Sequence, residues 1–358
     1  MVTPDGDFEF KVGDEGHWED VVARFGTANA IKEWRDLMAI AKPLGEISKS
    51  IPAAALRGDL GAVQTLQRFF SRLPALLLNG PKFQAPFSDL LRDAGVQDPF
   101  LKKWMDYICF VLQALPADTH PSAPVAYMIS DMYEQGAFLD YPKGGMGALI
   151  NALERGVTKN GGRIRYNAHV EEILATQGKA KGVRLRSGER ISAREAVISN
   201  ASVWDTAGLL PVGMRWPIPK PAECGSFMHL HLGLRAEGLP ADMPLHYSVI
   251  RDWKEPIDAT GNVVIISVPS VVNPSLAPEG RHCLHAYLAA TEPYELWQGM
   301  KRGSAEYEAF KRERAQPLFE AVEKAVPGAC ERIVPCLQSA DWIEGWATSR
   351  SQQGTFGG

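Results

Sequence analysis

Residues 140–211 constrain the fold of this 358-residue chain more than any other stretch, because three structural signals follow one another there. The first is a Pro-led glycine turn, Tyr141-Pro142-Lys143-Gly144-Gly145-Met146-Gly147, opening a helix expected over 146–159. Pro142 presets its φ near the helical value and lacks an N–H, while the glycines let the backbone approach a neighbour closely. Free amides at such a helix start can face an anionic or electron-rich group. Gly145-Met146-Gly147 is not the dinucleotide fingerprint, since the third glycine position holds Ile150 and no buried strand precedes it. On the glycines alone, a tight turn before a packed helix is the favoured reading.

The second signal is a Gly-punctuated meander. Segments 163–166, 168–175, 180–186 and 190–198 roughly alternate β-branched or apolar residues with polar ones, with breaks at Gln177-Gly178 and Ser187-Gly188. This predicts a strand followed by antiparallel hairpins. The third signal, 195–201, reads as a short apolar strand ending in Ser199-Asn200-Ala201-Ser202, the pattern of a buried strand whose C-terminal end opens into a site. Small side chains there leave room for a cofactor. The competing reading is a plain strand-to-helix turn with Asp205 in the first helical turn.

In this order and spacing the three signals resemble the flavin-dependent polyene oxidoreductases: prolycopene-type carotenoid isomerases, phytoene desaturases and retinol saturases. The resemblance implies an α/β (α+β) fold of the FAD/NAD(P)-binding, amine-oxidase-like type, with an incomplete Rossmann portion, an antiparallel substrate-domain sheet and a helical cap. It divides the chain into a mostly helical cap with a candidate membrane-facing surface (1–130), a partial FAD-binding region (131–215) and a substrate-domain sheet and helix (216–358). FAD is the implied cofactor, with NAD(P)H as candidate reductant, and Gly144, Gly145, Val170, Asn200 and Ala201 are the implied contacts. Val170 would give main-chain recognition and an apolar contact near the adenine; an ordinary inward-facing strand residue is the alternative. Trp204 and Asp205 would be neighbours.

The implied substrate is a carotenoid or related polyene, and the implied reaction is cis-to-trans isomerisation. Rotation about a double bond is blocked by π overlap, and a reduced flavin would relieve that block by transient donation without net redox change. Desaturation or saturation is the alternative reaction, and a non-catalytic prenyl-lipid carrier is the alternative on the same fold. No catalytic residue is identified. A plastid membrane is the implied location in a plant or alga, the cytoplasm or a peripheral membrane elsewhere.

The resemblance continues through predicted strands at 227–234, 262–272 and 282–289 and a charged helix around Ser304 to Arg314. The family's opening Gly-rich phosphate turn and closing Gly-Asp flavin segment are not found in this sequence, so a fragment is expected. The tail also departs from the family pattern, with Glu344-Gly345-Trp346-Ala347-Thr348 where a Thr-His and paired basic residues are expected.

Composition adds bounds. With 45% hydrophobic and 22% charged residues the chain can bury a sizeable core. A net charge of −4 gives no basic footprint, so nucleic acid is not expected as a partner. The five cysteines show neither metal-ligand spacing nor an even framework. Residues 16–115 read mostly as helices broken at Pro43, Pro52, Pro74 and Pro86, and Leu66, Phe69, Phe70, Leu73, Leu76, Leu77 and Leu78 form an apolar stripe interleaved with Arg68 and Arg72. A core-facing helix is the favoured reading of that stripe, a membrane-interface or tunnel-mouth helix the other. His229 and His231, two apart on a strand, face one side as a pair of metal ligands can. No third ligand shows in the spacing, since His282 and His285 fall on opposite faces of their strand; core or tunnel-wall histidines are favoured.

Overall fold

A computed structural model describes residues 1–49, 81–139, 141–216, 225–334 and 343–345. The apolar stripe at 66–78, with Pro52 and Pro74, lies outside them. The described residues form two compact units, one built from those within 1–141, 227–292 and 299–345, the other from those within 142–226 and 293–298.

The first unit joins a helical bundle to an antiparallel sheet. Its helices are α1 (Glu15–Phe25), α2 (Ala30–Lys49), α3 (Phe87–Asp93), α4 (Pro99–Gln113) and α5 (Ser122–Met132). Two of these starts carry an aspartate cap. Asp14 caps α1 by accepting the His17 amide, and Asp98 caps α4, which opens on Pro99, by accepting that of Leu101. The expected break at Pro43 does not occur, and α2 runs through it. Pro43 and Ala39 both lie on the exposed side, so the carbonyl released by the missing N–H faces water. Ala41 and Leu44 on the other side are buried, and a Cβ at Gly45 would collide with Ser130 Oγ and the Ala126 carbonyl of α5. The close α2–α5 approach therefore requires glycine at that position.

The bundle core is aromatic. Trp18, Trp34, Trp104 and Tyr133 are buried, with ring centroids 4.6 Å apart for Trp18–Trp104 and for Trp34–Tyr133, and Trp104 Nε1 donates to Tyr133 Oη at 2.7 Å. Such rings carry a large share of a core's burial energy.

The sheet contains β4 (Ser226–Arg235), β5 (His246–Ile250), β6 (Val263–Ser267), β7 (Arg281–Glu292) and β8 (Ile343–Gly345), in the order β5-β6-β7-β4-β8. Val2 adds a parallel bridge at Val249. Strand β5 has no counterpart among the predicted strands, and the strand predicted at 262–272 ends at Ser267, where Val268 leads into a 3-10 turn at Pro269–Val271. Register puts Ile250, Val263 and Ala289 on one face, and these belong to the same buried core as the bundle. The opposite face carries Val249, Val264, Ile266 and Leu288, with Met228, Leu230, Leu232 and Leu234 buried along β4. Against this sheet packs the long helix Ala305–Ala325, which Ser304 caps by accepting the Tyr307 amide. Strand β6 is thus covered on both sides, which explains why Val263 to Ile266 read as an unbroken apolar run. At the edge of the core Arg314 grips the fully buried carboxylate of Glu292 through two bonds of 2.9 and 2.7 Å.

The second unit holds α6 (Gly145–Lys159), a three-stranded meander β1 (Val170–Thr176), β2 (Lys179–Leu185), β3 (Arg190–Ser192), and α7 (Val203–Leu209). Two predicted strands differ. Neither 163–166 nor 195–201 joins a ladder among the described residues, and Ile164, Tyr166 and Ile198 are exposed. An apolar strand needs a partner for its backbone groups and a covering layer for its side chains, and these two segments have neither here. The first is held instead by Arg165, paired to Glu189 at 2.8 and 2.9 Å.

Candidate functional site

Sequence singled out five residues, all in the second unit. Gly144 is the N-cap of α6 with φ 84°, and Gly145 follows at φ 65°, its amide donating to the Pro142 carbonyl at 2.8 Å. Both lie in the left-handed region, where a side chain costs energy, so glycine is required by the turn itself. No side chain caps this helix, and a Cβ placed on Gly147 would meet nothing within 4 Å. The surface beside Gly147 is therefore open. A helix start without a side-chain cap can face an anionic or electron-rich group.

Val170 opens β1, half-buried, opposite Leu185. The Asn200–Ala201 turn is built by its neighbours: Ser199 Oγ accepts the Ala201 amide and pairs with Thr206 Oγ1 at 2.7 Å, and Ser202 caps α7 by accepting the Asp205 amide at 3.0 Å while donating to Asp205 Oδ2. Asp205 thus serves the helix cap. Asn200 stands outside this network with its side chain exposed, and Ala201 is exposed beside it. Helix α7 packs on β1, which brings Val170 and the Asn200–Ala201 turn into one neighbourhood, while Gly144 and Gly145 sit on a helix of their own. His169 is exposed beside Arg186, at 2.9 Å.

The first unit carries a cluster that spacing alone left incomplete. His229 and His231 share a face of β4, and the neighbouring strand β7 brings His285 to them, with His229 Nδ1 and His285 Nε2 2.8 Å apart. The His231 and His285 rings stack at 4.5 Å, and Tyr287 and Phe227 continue the row at 5.1 Å from His285 and 5.7 Å from His229. Burial, with the imidazoles of His231 and His229 beside it, pushes the His285 pKa down to about 4, so this ring is neutral at physiological pH. His282, as expected, faces the other way, bonded to Ser270 Oγ at 3.0 Å. The third histidine was missed because strand register, not spacing within one strand, supplies it.

Comparison with known proteins decides the family. The family model for flavin containing amine oxidoreductase matches residues 67–327. The chain belongs to this family. Its mixed α/β architecture agrees with the fold of a putrescine oxidase bound to putrescine, at a TM-score of 0.50 and 13% identity over 91% of this chain and 64% of that one. Among curated relatives it is similar to the chloroplastic prolycopene isomerases of Arabidopsis thaliana, 35% identical over 66% of this chain and 40% of that protein, and Daucus carota, 31% identical over 73% and 42%. A lycopene-forming phytoene desaturase of Pseudescherichia vulneris is 33% identical over 43% of this chain and 33% of its own length. The chain spans about 40% of the length of the prolycopene isomerases it matches. A flavin is the cofactor this family's name carries. No helix among the described residues is long and apolar enough to cross a membrane.

Proposed function

We propose that this chain is part of a flavin-dependent enzyme that isomerises cis double bonds of a carotenoid or related polyene to trans. The observation that carries this reading is the similarity to prolycopene isomerases, at 35% identity over 248 residues. In this reading FAD lies along the second unit, with the uncapped amides after Gly144 and Gly145 facing its polar portion. Val170 contributes backbone and apolar contact, and Asn200 and Ala201 form a low-profile turn that leaves room for it. When bound, the flavin supplies reversible electron or hydride chemistry, with NAD(P)H as the candidate reductant. This chain's own share is to orient the polyene and exclude water. Peripheral membrane contact follows from the substrate's solubility, and a plastid location applies if the source is a plant or alga.

The exposed apolar residues of the second unit support the further reading that the functional protein is longer. Met146, Leu149, Ile150, Leu153 and Val157 recur at helical spacing along one side of α6 and are all exposed. Such a face is covered in a complete fold, and additional chain is the proposed cover.

The test uses a longer gene product containing this chain. Incubated anaerobically in the reduced state with a poly-cis carotene, it should yield trans product of unchanged mass without stoichiometric flavin oxidation. Gain or loss of two hydrogens would replace the isomerase reading with that of a saturase or desaturase, the latter favoured as the second reading by the matched phytoene desaturase. Ala201→Leu should lower flavin occupancy in the folded fraction, and unchanged occupancy would remove Ala201 from the site.

A further inference from the structure

We propose that His229, His231 and His285 form a binding site for one divalent transition-metal ion of the zinc class, with a coordination position left open to solvent. The fold builds this set from two directions. Residues two apart on a strand project to the same side, which places His229 and His231 together on β4. Hydrogen-bonded pairing of β4 with β7 then brings His285 into the same row, and ligand-capable nitrogens of the three rings all lie within 4.8 Å of one another. A tetrahedral zinc bound at about 2.0–2.1 Å per nitrogen separates its ligand atoms by roughly 3.3 Å. The spacing between His229 Nδ1 and His285 Nε2, 2.8 Å, is within about half an ångström of that value. Chelation requires the stacked rings to turn about χ2 until their in-plane lone pairs converge, and that torsion is a soft one for imidazole.

The donor chemistry agrees. Three imidazoles suit zinc, copper, nickel or iron in preference to calcium or magnesium, which take oxygen ligands. His231 is exposed while His229 and His285 are half-buried, so one side of the cluster is reachable from water and two ligands are fixed in the sheet. Three protein ligands with an open fourth position is the arrangement of zinc sites that bind a water or an exchangeable ligand, whereas structural sites are closed by four protein ligands. Tyr287 and Phe227 flank the row. His246 lies one strand beyond Ser267, which pairs with His285 in register, and its Nδ1 is engaged with Ser267 Oγ at 2.9 Å. It serves as a neighbouring histidine outside the set.

The experiment is metal titration of the untagged chain after chelator treatment, with Co2+ as the spectroscopic probe and Zn2+ as competitor. One equivalent of Co2+ should bind with the visible ligand-field bands of low-coordinate cobalt, and Zn2+ should displace it. His231→Gln, at an exposed position where folding is least at risk, should weaken binding at least about tenfold, the scale of loss when a site's supporting groups are removed. His285→Gln should do the same, and His246→Gln should leave stoichiometry and spectrum intact. Folded wild-type chain that retains no cobalt overturns the proposal. So does binding that survives His231→Gln unchanged in a variant with wild-type circular dichroism.

Discussion

The two units treat their apolar residues in opposite ways. In the first, Trp18, Trp34 and Trp104 are at most 1% exposed and Val263 to Ile266 of β6 are buried on both faces. In the second, Leu153 is 72% exposed and Ile198 94%, although each sits in a segment whose pattern calls for burial. The amphipathic period of α6 is as regular as that of a core helix, yet nothing among the described residues covers it. Sequence pattern therefore records the environment in which a segment is selected, and a structure shows which part of that environment the chain itself provides.

The sharpest way to break this comparison is to truncate one residue from each unit. Trp104→Ala removes a buried ring and its bond to Tyr133, and should cost about 3–5 kcal/mol. Leu153→Ala on the exposed face should stay within about 0.5 kcal/mol in this chain. In a longer product that covers α6, the same Leu153→Ala change should rise to about 2–5 kcal/mol. Urea unfolding of both variants measures it, and a large Leu153 effect in the present chain would mean that α6 is already packed.

Next in size is the Glu292–Arg314 pair. Glu292 is fully buried, so Arg314→Met leaves a carboxylate without its bidentate partner in the core of the first unit, at a cost of about 3 kcal/mol. Adding Glu292→Gln should recover most of the loss, because the cost lies in burying the carboxylate's charge without Arg314. If the double variant is no more stable than Arg314→Met, the pair contributes through packing instead.

How much of this was legible from sequence differs by level. The helix over 146–159, the hairpins after Val170 and strands β4 and β7 follow from period and turn chemistry that the chain carries locally. Pro43 misled because its consequence depends on which side of α2 faces water, a tertiary fact. The segments 163–166 and 195–201 misled because an apolar pattern states a demand for partners without supplying them. His285 escaped because β4 and β7 are some fifty residues apart in sequence, and which residues of two strands meet depends on register, not on either strand's own spacing. Gly144 and Gly145 were legible as a turn, since their positive φ is a property of the backbone alone.

A smaller effect is expected at Asp98, which ties the bundle's helices together. Its carboxylate accepts the Leu101 amide at 2.9 Å as the α4 cap and the Thr27 amide at 2.7 Å from the loop before α2. Asp98→Ala should cost about 1–2 kcal/mol, and Asp98→Asn, which retains one acceptor, less. Equal losses in the two variants would assign the effect to charge and not to capping.

The smallest expected effect tests the end of the long helix through pH. Glu323 accepts the Gly328 amide at 2.6 Å and the Cys330 amide at 3.0 Å, and these bonds hold its carboxyl below the usual glutamate value of 4.5. A carboxylate whose folded pKa is depressed contributes stability that is fully present above its unfolded pKa and is lost as pH falls through the folded one. Glu323→Gln should therefore destabilise the chain by about 0.5 kcal/mol at pH 7, the modest size reflecting solvent screening of an exposed group. The gap between the two proteins should narrow as pH drops below 4.5, where the wild-type carboxyl takes up its proton and the two side chains become near equivalents. Urea midpoints compared from pH 7 down to pH values below that point read the difference directly. A gap that holds constant across the range would show that Glu323 acts through its neutral hydrogen-bonding geometry, and that the turn after the helix draws nothing from its charge.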